Sequence, residues 1–378
     1  MLNLFINSII IIFFLFLTIK LNRDFFKIEN NVFSSFLVYH LALTFIYVNF
    51  FKTGDWETFL KLEGHLPNLS ILRSLIGSHF INSFIYLLKL YSFNNISIII
   101  LFSLISFFGI VIFIKNLMML GVEKKICYIL LFMPGINFWT CPPGKDGLTL
   151  LFLSLFFFFF LNKKVLISFL FLLLIFFIRP HIGVIFMISF FLFQFITSKN
   201  KIYSAPIIAL FVLFNDFFIN LKLINFNFFG ITNYFIKIGD NSNGLFNKMQ
   251  NQIISLGNKY DHTDSYYESS NIYINMFEYI LFPLDFILKN NSIFINLSIM
   301  LEIFTFVLIG TLLSASKVKS KIDKNIITLI SCCLLVYLLI MPNVFFNYGI
   351  NSRQKWMILP FLIYFLFSFK NFLSGLKK

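Results

Sequence analysis

Predominantly apolar runs of 14 to 23 residues recur along almost the whole chain, separated by short polar punctuation. A soluble domain cannot bury so many runs of this length. In a bilayer, each satisfies its own backbone hydrogen bonds as a helix. The expected fold is therefore an all-α integral membrane bundle of about eleven transmembrane helices. The segments are 3–19, 31–50, 95–114, 126–140, 148–161, 165–178, 181–197, 203–221, 292–314, 325–342 and 355–373. Charged residues make up 12% of the 378, about half the share of a soluble domain. The whole chain reads as one polytopic domain with two larger connections, 51–94 and 222–291. Within the first, 71–93 is partly amphipathic and suits an interfacial position. The N-terminal run has no basic flank and no small-residue cleavage site, so it reads as a retained helix.

The formal charge of +14 points to topology rather than to nucleic acid. Of the 30 Lys and Arg, 17 fall in alternate short connections and the C-terminal tail. They include Lys20, Arg23, Lys27, Lys124, Lys125, Lys163, Lys164 and Lys324. Short cytoplasmic loops carry this excess, so these residues are expected inside, with the N-terminus outside and the C-terminus cytoplasmic. Twelve of the 16 acids then fall outside or within the membrane. Cys127, Cys141, Cys332 and Cys333 form neither a disulfide framework nor a zinc-ligand pattern.

Two runs are too short for a comfortable span. Leu148–Leu161 and Val165–Ile178 have 14 residues each, roughly 21 Å of helix against a hydrocarbon core of about 30 Å. The first follows Pro142-Pro143-Gly144-Lys145-Asp146-Gly147, and the second ends in Arg179-Pro180-His181. Both charged ends are expected on the outer side, drawn up to about 10 Å below the surface. Charges at that depth face a cavity or a partner. Lys145 at a positive helix end suits a bound phosphate, and Arg179 offers it a bidentate fork. Two structural roles compete. Asp146 suits a helix cap, and an Asp146–Arg179 ion pair would fix the hairpin. A lone His181 at a helix end serves structure more often than catalysis.

Other constellations share the outer face. Asp55 and Glu57 flank Trp56 just after the second run, and a carboxylate there suits deprotonation of an acceptor hydroxyl. An ordinary solvated loop with an interfacial tryptophan is the competing reading. Asn343, Asn347 and Asn351 would line one helical stripe leading to Arg353, or belong to a polar loop with basic anchors. Asp216 and Glu302 lie inside apolar runs and are functional candidates by position. His262 sits in Asp261-His262-Thr263-Asp264, a weak metal pattern. The cofactor is undetermined, with a divalent cation one option.

Several motifs together carry a resemblance. They are Gly54-Asp55-Trp56-Glu57, Phe132-Met133-Pro134-Gly135-Ile136-Asn137-Phe138-Trp139, Lys145-Asp146-Gly147, Ile178-Arg179-Pro180-His181, Leu281-Phe282-Pro283-Leu284-Asp285, Asn347-Tyr348-Gly349, Ser352-Arg353-Gln354 and Leu359-Pro360-Phe361. Their order resembles bacterial surface-polysaccharide membrane proteins: GT-C type glycosyltransferases and O-antigen or exopolysaccharide polymerases. The resemblance implies residence in the bacterial cytoplasmic membrane and a polyprenyl-phosphate-linked sugar donor. It also implies a glycan or lipid-linked acceptor, with membrane lipids around the protein and no nucleic acid. It implies Asp55, with Glu57 as a second candidate, as the acceptor-activating acid. Lys145, Arg179 and Arg353 match donor-phosphate contacts, with Asp146 and His181 beside them. The two acids do not form a clean adjacent pair. No large soluble C-terminal domain is expected, which keeps the polymerase open. A transporter or flippase centred on Glu302 and Asp216, and a purely structural membrane protein, are the rivals from other classes.

Overall fold

The computed structural model describes residues 2–50, 55–61, 77–197, 293–315, 324–344 and 348–376. Among these, all regular structure is helical. The helices are α1 Leu2–Leu21, α2 Asn30–Phe50, α3 Asp55–Lys61, α4 Ser78–Leu90, α5 Asn95–Met119, α6 Lys124–Leu131 and α7 Pro134–Thr140. They continue with α8 Lys145–Leu161, α9 Val165–Ile178, α10 Pro180–Thr197, α11 Ile293–Ala315, α12 Lys324–Val344 and α13 Tyr348–Leu376. Four described helices are long and apolar enough to cross a membrane, or five if the bent pair α7–α8 is one span. The fuller count of eleven is an expectation from the sequence. Solvent-facing apolar side chains agree with a lipid environment. On α9, Leu166, Leu170 and Leu174 form an exposed stripe at four-residue spacing, and α1 exposes Ile12, Phe13 and Phe16.

Two compact units divide the chain, one formed by 1–183, 301–327 and 359–378, the other by 184–300 and 328–358. In the first, α5 is the central post. Asn94 caps it by accepting from the Ser97 amide at 2.8 Å. It ends in a Schellman turn, with Val122 N–H on Leu117 O and Gly121 N–H on Met118 O, and Gly121 at φ 83°. Against α5 lies α8, at close range: a Cβ on Gly109 would come within 2.9 Å of the Leu151 amide nitrogen. Small residues permit such backbone approach where helices meet in lipid. Asn116 then donates from Nδ2 to Ser154 O across the seam at 2.9 Å.

The pair α8–α9 forms a hairpin. Ser168 Oγ donates to Phe156 O at 2.8 Å, and Phe159 stacks on Phe171 with centroids 5.3 Å apart. The turn between them places Lys163 at φ 59°, with Lys164 N–H on Phe159 O and Lys163 N–H on Phe160 O. This is again the Schellman pattern, with lysine where glycine is commoner.

The expected segment 126–140 is two helices rather than one. Pro134 opens α7, since proline lacks the N–H needed to continue α6 but fits a first turn. α7 then meets α8 at 119°. Its placement is set by a buried polar node on α2. His40 has Nδ1 2.6 Å from Asn137 Oδ1 and Nε2 2.6 Å from Ser106 Oγ. Asn137 donates from Nδ2 to Leu131 O at 2.9 Å and to Met133 O at 2.8 Å. Its Oδ1 is therefore left to accept from His40 Nδ1–H. Thr44, one turn along α2, meets Ser103 at 2.7 Å. Polar pairs with no water to compete hold α2, α5 and α7 together.

In the second unit, Phe186 of α10 packs against Tyr337 of α12 with centroids 6.1 Å apart. Ser189, Cys332 and Cys333 are buried there.

Candidate anion-binding site

The turn 141–144, Cys-Pro-Pro-Gly, delivers the chain from α7 into α8. The N-cap is Gly144, without a side-chain cap, so Lys145 and Asp146 are the first two helical residues. The expected run 148–161 is thereby lengthened to 17 residues, about 25 Å of helix. The expectation that Asp146 caps the helix is corrected. A capping side chain must precede the first turn, and this carboxylate lies within it, engaged elsewhere.

Its partner is Arg179, whose Nη2 donates to Asp146 Oδ1. The pair is well shielded, with side-chain exposures of 9% for Arg179 and 15% for Asp146. Arg179 is non-helical at φ −135°, as a residue before proline tends to be. It sits between the last turn of α9 and the first of α10. Gly183 makes that junction possible, because a Cβ there would lie 2.4 Å from Phe176 Cα. The ion pair expected as one alternative is thus present. It leaves the Arg179 Nε–H shielded from solvent and without a hydrogen-bond partner among the described residues. A buried guanidinium with one donor unused is a group with capacity for a further acceptor.

The connection before α5 folds back onto the same place. Gly77 N–H donates to Phe177 O at 2.7 Å, pinning the start of α4 to the end of α9. Lys145 Nζ donates to Ser78 Oγ at 2.9 Å. The expected interfacial stretch thus contains a helix whose Ile81 and Ile85 are fully buried. α3 reaches the same place: a Cβ on Gly144 would lie 3.9 Å from the Phe59 ring. Trp56, Phe59 and Leu60 are buried and anchor this short helix.

Of the residues singled out from the sequence, Lys145, Asp146 and Arg179 therefore converge. His181 lies in the first turn of α10, two residues from Arg179. Asp55 opens α3, the helix packed beside Gly144, and its side chain lies outside the described residues. Glu57 forms an i,i+4 ion pair with Lys61 at 2.7 Å, largely in solvent. Exposed pairs of this kind contribute only about 0.3–0.5 kcal/mol. Arg353 belongs to α13 in the second unit, and its side chain is outside the described residues. So is that of Glu302 on α11. Asn343 belongs to α12 and Asn351 to α13. Asn347, Asp216, His262 and the long connection with Tyr260, Tyr266 and Tyr267 lie outside the described residues.

No protein family, curated protein sequence or solved structure matches the chain. The chemistry of the site rests on its own residues. A guanidinium, an ammonium and the first turn of a 17-residue helix meet at one place, with the Asp146 carboxylate among them. The cations and the positive end of the helix both favour an anion. Among the described residues, no three His, Cys, Asp or Glu side chains group as a metal site.

α4 lies within the amphipathic stretch 71–93, but sequence reasoning gave Ser78, His79 and Asn82 no part in the site. The available signal was the polar spacing of Ser78, His79 and Asn82 beside Ile81 and Ile85, which marks one edge of a buried helical face.

Proposed function

We propose that this chain is a membrane glycosyltransferase of surface-glycan assembly, working at the outer face of a bacterial cytoplasmic membrane. It takes sugar from a polyprenyl-phosphate-linked donor whose tail stays in the bilayer. The observation that carries this reading is the buried Arg179, held on Asp146 with its Nε–H unused, beside Lys145 at the start of α8. A lipid-linked phosphate meets that set of donors at the end of the short helix α9, which has 14 residues and roughly 21 Å of length. The surrounding apolar helices suit the tail.

In this reading Lys145 and Arg179 hold the phosphate and offset the charge that grows on it as the glycosidic bond breaks. Asp146 orients Arg179. Asp55, on the helix anchored beside Gly144, takes the proton from the acceptor hydroxyl as that oxygen attacks the anomeric carbon. The sugar moves to the acceptor, and the polyprenyl phosphate leaves with the electron pair of the broken bond.

The test is sugar transfer by purified protein from a prenyl-phosphate donor. Lys145→Gln is expected to raise the donor KM, and Asp55→Asn to lower kcat about 100-fold or more. Full turnover in Asp55→Asn removes that residue from the mechanism. Transfer unaffected by Lys145→Gln removes the phosphate site. Cells that make intact single repeats but fail to lengthen them would instead assign the site to a repeat-unit polymerase.

A further inference from the structure

The site has a second polar lobe that phosphate chemistry does not use. On α4, His79 Nδ1 and Asn82 Oδ1 are shielded from solvent and have no hydrogen-bond partner among the described residues. Helical geometry places Asn82 on the face of Ser78 and His79 to one side of it. At 100° per residue, Asn82 lies about 40° and His79 about 100° around the axis from Ser78. Ser78 is the residue that receives Lys145 Nζ at 2.9 Å. The buried Ile81 and Ile85 occupy the other flank of Ser78, about 60° and 20° away. The side of α4 nearest Lys145 is therefore half apolar and packed, half polar and unsatisfied.

The type of atom narrows the ligand. A phosphate offers only acceptors, so it can serve Arg179 Nε–H and Lys145 Nζ. It can do nothing for Asn82 Oδ1, which needs a donor. A hydroxyl both donates and accepts, and so serves the amide oxygen and the imidazole nitrogen alike. Buried polar atoms left unpaired are disfavoured in general, so a ligand that pairs with them gains by doing so.

We propose that His79 and Asn82 read the hydroxyls of the sugar attached to the phosphate held by Lys145 and Arg179. α4 is then the donor-specificity element, and α8 with Arg179 the anion element. This inference rests on the phosphate-site reading above, and the experiment separates the two.

Protein in phosphatidylethanolamine–phosphatidylglycerol nanodiscs is titrated with farnesyl phosphate, and with farnesyl-phosphate glucose, galactose and N-acetylglucosamine. Wild type is expected to bind one of the sugar-bearing probes about tenfold more tightly than the bare phosphate. His79→Ala and Asn82→Ala each remove about two- to tenfold of that advantage. They leave farnesyl phosphate binding within about twofold, which also shows that they fold. His79→Gln retains part of the advantage, since its amide still bonds a hydroxyl. Equal weakening of all probes, no weakening, or no sugar preference in wild type overturns the assignment of α4 while the phosphate site stands. Failure of wild type to bind farnesyl phosphate, or binding indifferent to Lys145→Gln, overturns the phosphate site and this inference with it.

Discussion

The Asp146–Arg179 pair should be the most sensitive point of the α8–α9 hairpin, and the two halves should not be equally sensitive. Asp146→Leu leaves a guanidinium that is 9% exposed, with neither Nη2 nor Nε paired by a described residue. Stranding one partner of a buried pair costs about 3–5 kcal/mol. Arg179→Met strands a carboxylate with 15% exposure that follows the cationic Lys145 in sequence. Its cost should fall at or below the lower end of that range, about 2–3 kcal/mol. The double replacement removes both desolvated charges and fills their space with apolar atoms. It should return to within about 1 kcal/mol of wild type. The coupling energy is then at least about 4 kcal/mol, well beyond the additivity error of about 0.5 kcal/mol. The assay is loss of the monodisperse peak on heating in detergent, read at equal heating rates because unfolding of such proteins is commonly irreversible. At about 2–4 °C per kcal/mol, Asp146→Leu should lower the midpoint by about 6–20 °C. A double variant that loses the sum of both singles would refute the pairing argument. The same double variant should have lost farnesyl phosphate binding, which separates stability from ligand binding in one molecule.

Three further outcomes follow from packing. Gly109→Ala drives a methyl to 2.9 Å from the Leu151 backbone nitrogen, where no side chain can yield. A loss of about 1–3 kcal/mol is expected, visible as a lowered melting midpoint; an unchanged midpoint would mean that α5 and α8 do not approach so closely. His40→Leu leaves Asn137 Oδ1 without the imidazole that pairs with it and removes the Ser106 contact. It should lower the midpoint by the equivalent of about 1–3 kcal/mol and speed cysteine labelling of a reporter placed at Thr140, while a reporter at Ser314 stays unaffected. Lys163→Gly relieves a left-handed residue at φ 59° and should raise the midpoint, by up to about 1 kcal/mol equivalent. A fall there would show that the lysine side chain does more than occupy the turn.

The elements were largely legible because hydrophobic patterning is local. The run Val165–Ile178 is the helix α9 to the residue. α8 ends at Leu161 as its apolar run does, and differs at the start because Lys145 and Asp146 complete its first turn. Pro134 is the local signal that splits 126–140, and it was passed over because the residues on both sides are apolar. The Asp146–Arg179 pair was legible as one of two alternatives, since two charges at adjoining ends of a short hairpin have few other places to go. A capping role for Asp146 misread which residue begins the helix.

The sequence alone determined that this chain is helical and suited to a membrane, where most of its helices begin and end, and that Lys145, Asp146 and Arg179 would share one end of a hairpin. Those conclusions need only the length of apolar runs and the reluctance of charge to enter lipid. Tertiary structure decided what joins that end. α4 is pinned to α9 through Gly77 and to Lys145 through Ser78, α3 reaches Gly144 through Phe59, and His40 of α2 holds Asn137 of α7. Each contact links residues 67 to 100 positions apart, and no periodicity encodes which distant side chain will meet which. Packing alone determines that, and it determines too which polar atoms, such as Asn82 Oδ1 and Arg179 Nε, are left shielded and unpaired among the described residues.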